Sequence, residues 1–324
     1  MAQRKTVRRT TKKQKEKIKK ALLGVLVSLV ALVLVVLGVD PEWLGAIPGG
    51  NDLLTSLGLS DISIPEGEAS VHFIDVGQGD ASLILVDGHA VLIDGGENDK
   101  GDTVVNYLKN QGVEKLDLIV ATHPHSDHIG GLDVVMAAIP TDTLLMPRLP
   151  QTQLPTTKTY KDLLTQAAES QVKVVYSEPG QQLTYGDGRL TVLGPLEGYD
   201  DLNDTSAVVL FRYGSQRFLF TGDMETKAEK DLLEGYGAGE IGAQVLKLGH
   251  HGSSTSTSAA FLDRVDPEIA VACVGAGNSY GHPHQETVDL LANRGVRFLR
   301  TDLNGTIVFS TDGSNLDVVC QKGE

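Results

Sequence analysis

The chain has 324 residues, 41% of them hydrophobic and 22% charged, a composition that excludes wholesale disorder and fibrous repeats. Its 28 Lys and Arg against 42 Asp and Glu give a formal net charge of −14. The charge is unevenly placed: residues 1–20 hold ten basic side chains and one acidic, which leaves 18 basic and 41 acidic residues in the rest. A body that acidic repels polyanions except through local basic patches.

Residues 21–39 (ALLGVLVSLVALVLVVLGV) carry no charge and one polar side chain, Ser28. As a helix this run rises about 28 Å, close to the ~30 Å of a bilayer's hydrocarbon core. The basic residues before it hold the N-terminus in the cytoplasm by the positive-inside rule. The expectation is a single-pass signal anchor in the cell membrane, with the remainder extracytoplasmic. A cleaved signal peptide has a shorter apolar region and a small-x-small site, which Gly38-Val39-Asp40-Pro41 does not offer. Residues 40–69, with three Pro and five Gly, read as a linker, and the folded domain is expected over 70–324.

From there strands and helices alternate. Val71–Val76, Ser82–Val86 and Ala90–Asp94 are short apolar runs between Gly and Asp turns, which predicts a meander. A helix is predicted over Thr103–Asn110, a strand over Leu116–Thr122 and a helix from about Gly131 to Ala138. Ser206–Tyr213 and Arg217–Thr221 flank Gly214-Ser215-Gln216 and predict a hairpin. Glu225–Leu233, Ser258–Arg264 and Glu286–Asn293 read as helices. Gln244–Leu248, Ile269–Val274, Arg297–Thr301, Thr306–Ser310 and Leu316–Val319 read as strands. Two β-rich halves, each fed with helices, predict an α/β fold: two mixed sheets packed face to face with helices outside. Cys273 and Cys320 lie in strand-like runs, where they either pair across a sheet or stay buried thiols.

Seven of the nine histidines fall in three short segments. In Thr122-His123-Pro124-His125-Ser126-Asp127-His128, alternation along an extended chain puts His123, His125 and Asp127 on one side. His128 swings to a neighbouring position as the chain turns toward its helix. Three imidazoles and a carboxylate so closely spaced suit divalent transition metals, and suggest two of them. Phe218-Leu219-Phe220-Thr221-Gly222-Asp223 places a carboxylate at the mouth of an apolar strand, where it can bridge two cations about 3.5–4 Å apart. Val245-Leu246-Lys247-Leu248-Gly249-His250-His251 delivers two more histidines, one as a ligand and one as support, in an order that spacing leaves open.

The His-x-His-x-Asp-His pattern of residues 123–128 resembles that of the metallo-β-lactamase fold hydrolases. The likeness is closer to the extracytoplasmic hydrolase domain of ComEC-type DNA-uptake competence proteins. It rests on Phe73-Ile74-Asp75-Val76-Gly77-Gln78-Gly79-Asp80-Ala81, Leu92-Ile93-Asp94-Gly95-Gly96, Thr221-Gly222-Asp223, Leu248-Gly249-His250-His251-Gly252-Ser253, Tyr280-Gly281-His282-Pro283 and Arg300-Thr301-Asp302. The resemblance implies an αββα sandwich and two bound ions, zinc or manganese. It also implies metal-assisted hydrolysis of a phosphodiester, DNA among the candidates, or of phosphorylcholine-like surface groups. A non-catalytic, membrane-anchored binding module is the alternative of another class.

The same resemblance places Asp75, Asp80 and Asp94 behind the ligand histidines, with Lys247 beside them. It makes His282 a group that binds a phosphate oxygen or protonates a leaving group, in a catalytic set with Asp127 and Asp223. Two departures stand out. No histidine lies between His128 and His250 to complete the first metal's ligands, so that ion is expected to rest weakly on His123, His125 and Asp223, with Leu202–Ser206 as the replacement region. One apolar segment forms no channel, so DNA transport would need a separate channel protein. Lys247, Arg294, Arg297 and Arg300 are the basic residues near the site segments. His284 reads as the residue preceding the final helix.

Overall fold

The computed structural model describes residues 69–323; the expected tail, anchor and most of the linker lie outside the described residues. Among the described residues no helix is long and apolar enough to cross a membrane.

Fifteen strands form two sheets. The first comprises β1 (Ala69–Phe73), β2 (Ser82–Val86), β3 (His89–Ile93), β4 (Leu116–Val120), β5 (Thr141–Met146), β6 (Lys173–Tyr176), β14 (Ile307–Thr311) and β15 (Leu316–Cys320), in the order β15-β14-β1-β2-β3-β4-β5-β6. The second comprises β7 (Gln182–Tyr185), β8 (Gly188–Val192), β9 (Val209–Tyr213), β10 (Gln216–Phe220), β11 (Val245–Lys247), β12 (Ile269–Ala272) and β13 (Arg297–Arg300), in the order β13-β12-β11-β10-β9-β8-β7. Both are mixed: β3 through β6 and β10 through β13 are parallel, and the other pairs are antiparallel.

The helices are α1 (Gly101–Asn110), α2 (Ser126–Ile129), α3 (Leu132–Ala138), α4 (Lys158–Glu169), α5 (Thr226–Gly235), α6 (Ala238–Ile241), α7 (Ala259–Val265), α8 (Gln285–Asn293) and α9 (Thr301–Asn304). Three apolar layers account for the stack. Inward residues of both sheets, among them Phe73, Phe211, Phe218, Phe220 and Phe309, form the central layer. The outer face of the first sheet packs on α1, α3 and α4 through residues such as Leu92, Leu108, Val135 and Leu163. The outer face of the second packs on α5 and α7 through Leu219, Leu246, Leu232 and Phe261. Helix, sheet, sheet, helix is therefore the order, as alternating burial on each strand requires.

Residues 141–192 hold β5, α4, β6, β7 and β8, which the sequence reading left undrawn. β6 and β7 are edge strands whose residues are exposed or only half-buried, so they lack the buried apolar pattern that marks the other strands. Thr301 opens the short helix α9 instead of ending β13, since its Oγ1 donates to the carbonyl of Val274 and accepts the amide of Val274. Cys273 and Cys320 are both free thiols, the first fully buried.

Candidate metal centre

The two parallel blocks aim their C-terminal ends at one place, the position where parallel α/β sheets gather functional loops. β3 ends at Asp94, β4 at the 123–128 segment, β10 at Asp223 and β11 at His250 and His251. Gly222 makes the last turn before Asp223. Its φ is +53°, and a Cβ there would lie 2.8 Å from Ser206 Oγ and 3.0 Å from Thr122 Cβ. A side chain at 222 would push Asp223 out of place.

Asp223 is 2% exposed and serves two donor groups. One is His123, His125 and Asp223, with ligand atoms within 4.8 Å of one another. His123 Nε2 lies 3.1 Å from His125 Nδ1 and 3.7 Å from Asp223 Oδ2. The other surrounds His128 and His251 and includes Asp223 and Asp80. Here the back of each imidazole is committed: His128 Nδ1 faces Asp94 Oδ2 at 2.8 Å, and His251 Nδ1 faces the Cys273 carbonyl at 2.8 Å. Their Nε2 atoms point forward, to Asp223 Oδ1 at 3.1 Å and to Asp127 Oδ2 at 3.1 Å respectively. Asp80 lies on the Nδ1 side, 3.3 Å from His251 Nδ1, and pairs with Lys247, so it supports the histidines while Asp127 supplies the forward oxygen.

The donor atoms fit divalent cations. His128 Nε2 and Asp223 Oδ1 face each other, yet neither has a hydrogen-bond partner, although both are shut off from solvent. Burial of that kind costs free energy unless something charged satisfies both atoms. Imidazole and carboxylate donors of this number suit zinc or manganese.

Electrostatics point the same way. Burial opposes charge on His128, but the Asp223, Asp94 and Asp80 carboxylates outweigh it and hold its pKa well above the usual value. His251 is raised to about 9 against burial, chiefly by Asp223 and by hydrogen bonds to Asp127 and Asp80. Burial, helped by His128, drives the His123 pKa down. Asp223 and Asp127 resist burial and titrate below the usual carboxylate range, because His128 and His251 stand beside them. Four carboxylates thus call for positive charge that protons supply on His128 and His251 when cations do not, so binding of cations should release protons.

Chelation of divalent ions from the full-length protein should therefore lower its melting temperature. A site filled at 100 times its dissociation constant contributes about 2.7 kcal/mol. Calorimetry with and without chelator checks this, and an unchanged melting temperature would deny the cluster a cation.

Each expected site residue can now be placed. His123, His125, Asp127, His128, Asp223 and His251 converge; His250 stands at the rim. Its Nδ1 meets Glu225 Oε1 at 2.9 Å, its Nε2 is 3.8 Å from Asp223 Oδ2, and it is not among the grouped donors. Both histidines adopt positive φ, +46° and +55°, a strained backbone for non-glycine residues that sends neighbouring side chains to different tasks.

Asp94 Oδ2 faces His128 Nδ1 and Asp80 Oδ1 faces His251 Nδ1. Lys247 is buried, binds Asp80 and the Gly222 carbonyl, and approaches Asp223 Oδ1 to 3.8 Å. The role expected for Asp75 is corrected: it accepts the amide of Gly77 and pairs with Lys322, touching no ligand histidine. Strand β1 ends before it, and the turn points its carboxylate outward. Glu225, which spacing did not reveal, is the partner that fixes His250.

The cleft above the centre has a volume of about 420 Å³. Thr157 and Thr159 stand on one wall, and His250, Tyr280 and His282 on the other. Asn278 clamps His282 at both backbone ends, its Oδ1 accepting the amide at 3.0 Å and its Nδ2 donating to the carbonyl at 2.6 Å. Tyr280, 64% exposed, stacks on His282 with centroids 5.7 Å apart and planes 24° apart. His284 occupies the position before α8, where Ser254 donates its amide to Nδ1.

Residues 74–276 match the family described as the metallo-beta-lactamase superfamily. The chain belongs to that superfamily. Within it the relation is to ComEC-type competence proteins. The chain is 31% identical over 262 residues to ComE operon protein 3 of Bacillus subtilis, covering 75% of this chain and 33% of that one. It is 34% identical over 250 residues to Competence protein ComA of Neisseria gonorrhoeae, covering 76% and 33%. The chain spans about a third of the length of these curated relatives. Among solved structures, CmlA, a diiron β-hydroxylase from Streptomyces venezuelae, shares the fold at a TM-score of 0.51 and 16% identity, over 77% of this chain and 57% of that one.

Proposed function

We propose that the chain is a membrane-anchored, extracytoplasmic, metal-dependent phosphodiesterase with DNA as its foremost substrate. The observation that carries this reading is Asp223, one buried carboxylate shared by two donor groups. His123, His125 and Asp223 would hold one cation and His128, His251 and Asp223 another, a pair that would suit an in-line displacement at phosphorus. When bound, they supply an activated water at neutral pH and polarise the phosphoryl oxygen.

The chain's own residues do the rest. Asp94 and the Cys273 carbonyl hold the His128 and His251 rings in one orientation. Lys247 offsets part of the carboxylate charge beneath Asp223. His282, kept in place by Asn278, lines the cleft, where its imidazole can meet a phosphate or leaving-group oxygen. The exposed face of Tyr280 offers a stacking surface for a base. The likeness to competence proteins supports DNA.

The full-length protein, loaded with zinc or manganese, should turn over single-stranded DNA and bis-p-nitrophenyl phosphate; a metal-loaded sample inert on every phosphodiester would leave the binding-module reading. A second enzymatic reading, small phosphodiesters or phosphorylcholine-like surface groups, is favoured by charge. Lys247 is buried, while Arg294 and Arg300 are engaged by Asp263 and Asp302, so these three cations are committed within the protein. Hydrolysis of the small esters alone, with DNA untouched, would select it.

The basic N-terminal segment supports an outside location for the domain. Protease added to cells stripped of their wall should digest the body, whereas full protection would place it in the cytoplasm. If DNA is then carried inward, a separate channel protein is its partner.

A further inference from the structure

We propose that the side-chain oxygen of Asn203 is a protein ligand of the cation held by His123, His125 and Asp223. The proposal rests on the cation-binding part of the reading above and not on its substrate. The first donor group has three members, whereas the second gathers His128, His251, Asp223 and Asp80, with Asp127 Oδ2 a further 3.1 Å from His251 Nε2. Zinc takes four ligands and manganese commonly six, so a further oxygen suits the first position.

The segment 203–206 lies beside that position. Ser206 Oγ donates to the Asn203 carbonyl at 2.6 Å, accepts the Asp223 amide at 3.0 Å and lies 3.4 Å from His123 Nδ1. One hydroxyl therefore ties this turn to two of the three ligands.

Elimination within the turn leaves one atom. The Asp204 carboxylate faces away and accepts the amides of Glu225 and Ala228 at 2.9 and 3.3 Å. Thr205 Oγ1 donates to the Leu202 carbonyl at 2.6 Å, and Ser206 Oγ is engaged as described. The Asn203 amide is held by Asp201 Oδ1 at 2.9 Å. What remains is Asn203 Oδ1. The residue is 8% exposed, its Oδ1 is shut off from solvent without a hydrogen-bond partner, and it lines the cleft with His125, Asp223 and His250. Leaving such an oxygen unsatisfied forfeits its hydration with nothing in return. A cation at the first position removes that cost.

A neutral oxygen in this place leaves the first centre with one carboxylate where the second has two, so the first centre should hold its ion more weakly. The test is metal titration of the full-length protein by calorimetry, with metal content after dialysis, using zinc and manganese in turn.

Wild type should bind two ions, one more weakly. Asn203→Ala should keep the tight ion and weaken the other by at least the ~10–100-fold that loss of an outer partner costs. Asn203→Asp, with an oxygen in the same place, should hold the weak ion at least as well as wild type. Unchanged affinities in Asn203→Ala overturn the proposal, and so does equal loss of both ions from a folded Asn203→Ala. If Asn203→Ala does not fold, Asn203→Asp decides, because weaker binding at the first position in that folded variant also overturns it. None of these readouts needs turnover, so an inactive preparation leaves the test intact.

Discussion

Asp223→Ala should abolish hydrolysis of every phosphodiester substrate while the domain stays folded. Two donor groups meet on this carboxylate, so its removal breaks both groups at once. A loss of ~10³-fold or more in turnover, about 4 kcal/mol of transition-state stabilisation, is expected. Folding should survive, because Asp223 is not itself part of any of the three apolar layers that stabilise the sandwich. Metal content, turnover and a melting curve on the same sample check the result. A folded Asp223→Ala protein that keeps two ions and wild-type turnover would refute the dinuclear reading.

His282→Ala should behave differently. His282 has its pKa lowered to about 4 by burial and by its His250, His251 and His284 neighbours, so the free protein carries it neutral across physiological pH. A neutral imidazole still donates one N–H, and hydrogen-bonded or acid assistance of this type is worth ~10²–10⁴-fold. DNA, with a poor alkoxide leaving group, should lose that factor in kcat. An activated p-nitrophenyl ester, whose leaving group needs little help, should lose far less. Metal content should stay at the wild-type level. Equal losses on both substrates would assign His282 to a phosphate oxygen or to the architecture of the loop, and loss of an ion would make it a ligand.

The metal centre was legible from sequence because each ligand segment follows a buried strand, and parallel strands bring their ends together. β4, β10 and β11 end in buried residues, and His123, Asp223 and His250 stand three positions after the last residue of each strand. The choice between His250 and His251 was not legible. It depends on two consecutive residues with positive φ, which no spacing rule encodes. Asp75 and Asp80 look equivalent around Gly77-Gln78-Gly79, but Gly79 lets the chain press against the Asp127 carbonyl, and only Asp80 is carried under the histidines. Glu225 acts through a contact with His250 made across the fold, so its neighbours in sequence say nothing of it. The 141–192 stretch stayed hidden because its edge strands are half solvated and its one long helix, α4, buries only Tyr160, Leu163 and Ala167.

Strand β1 begins at Ala69, the first described residue, and is paired antiparallel on both sides, Ala69 to Phe73 against Thr311 to Ile307 and against Val86 to Ser82. Traction applied at its N-terminal end runs along the strand, so both ladders are loaded in shear and their bonds must yield together, where an edge strand pulled crosswise would unzip one bond at a time. Beyond Phe73 the chain reaches Asp80 within seven residues, and Asp80 is held by Lys247 and by the hydrogen bond its backbone N–H donates to the Asp127 carbonyl. Mechanical work done on the domain through this end is therefore spent against a clamped central strand before it reaches the groups that orient His251.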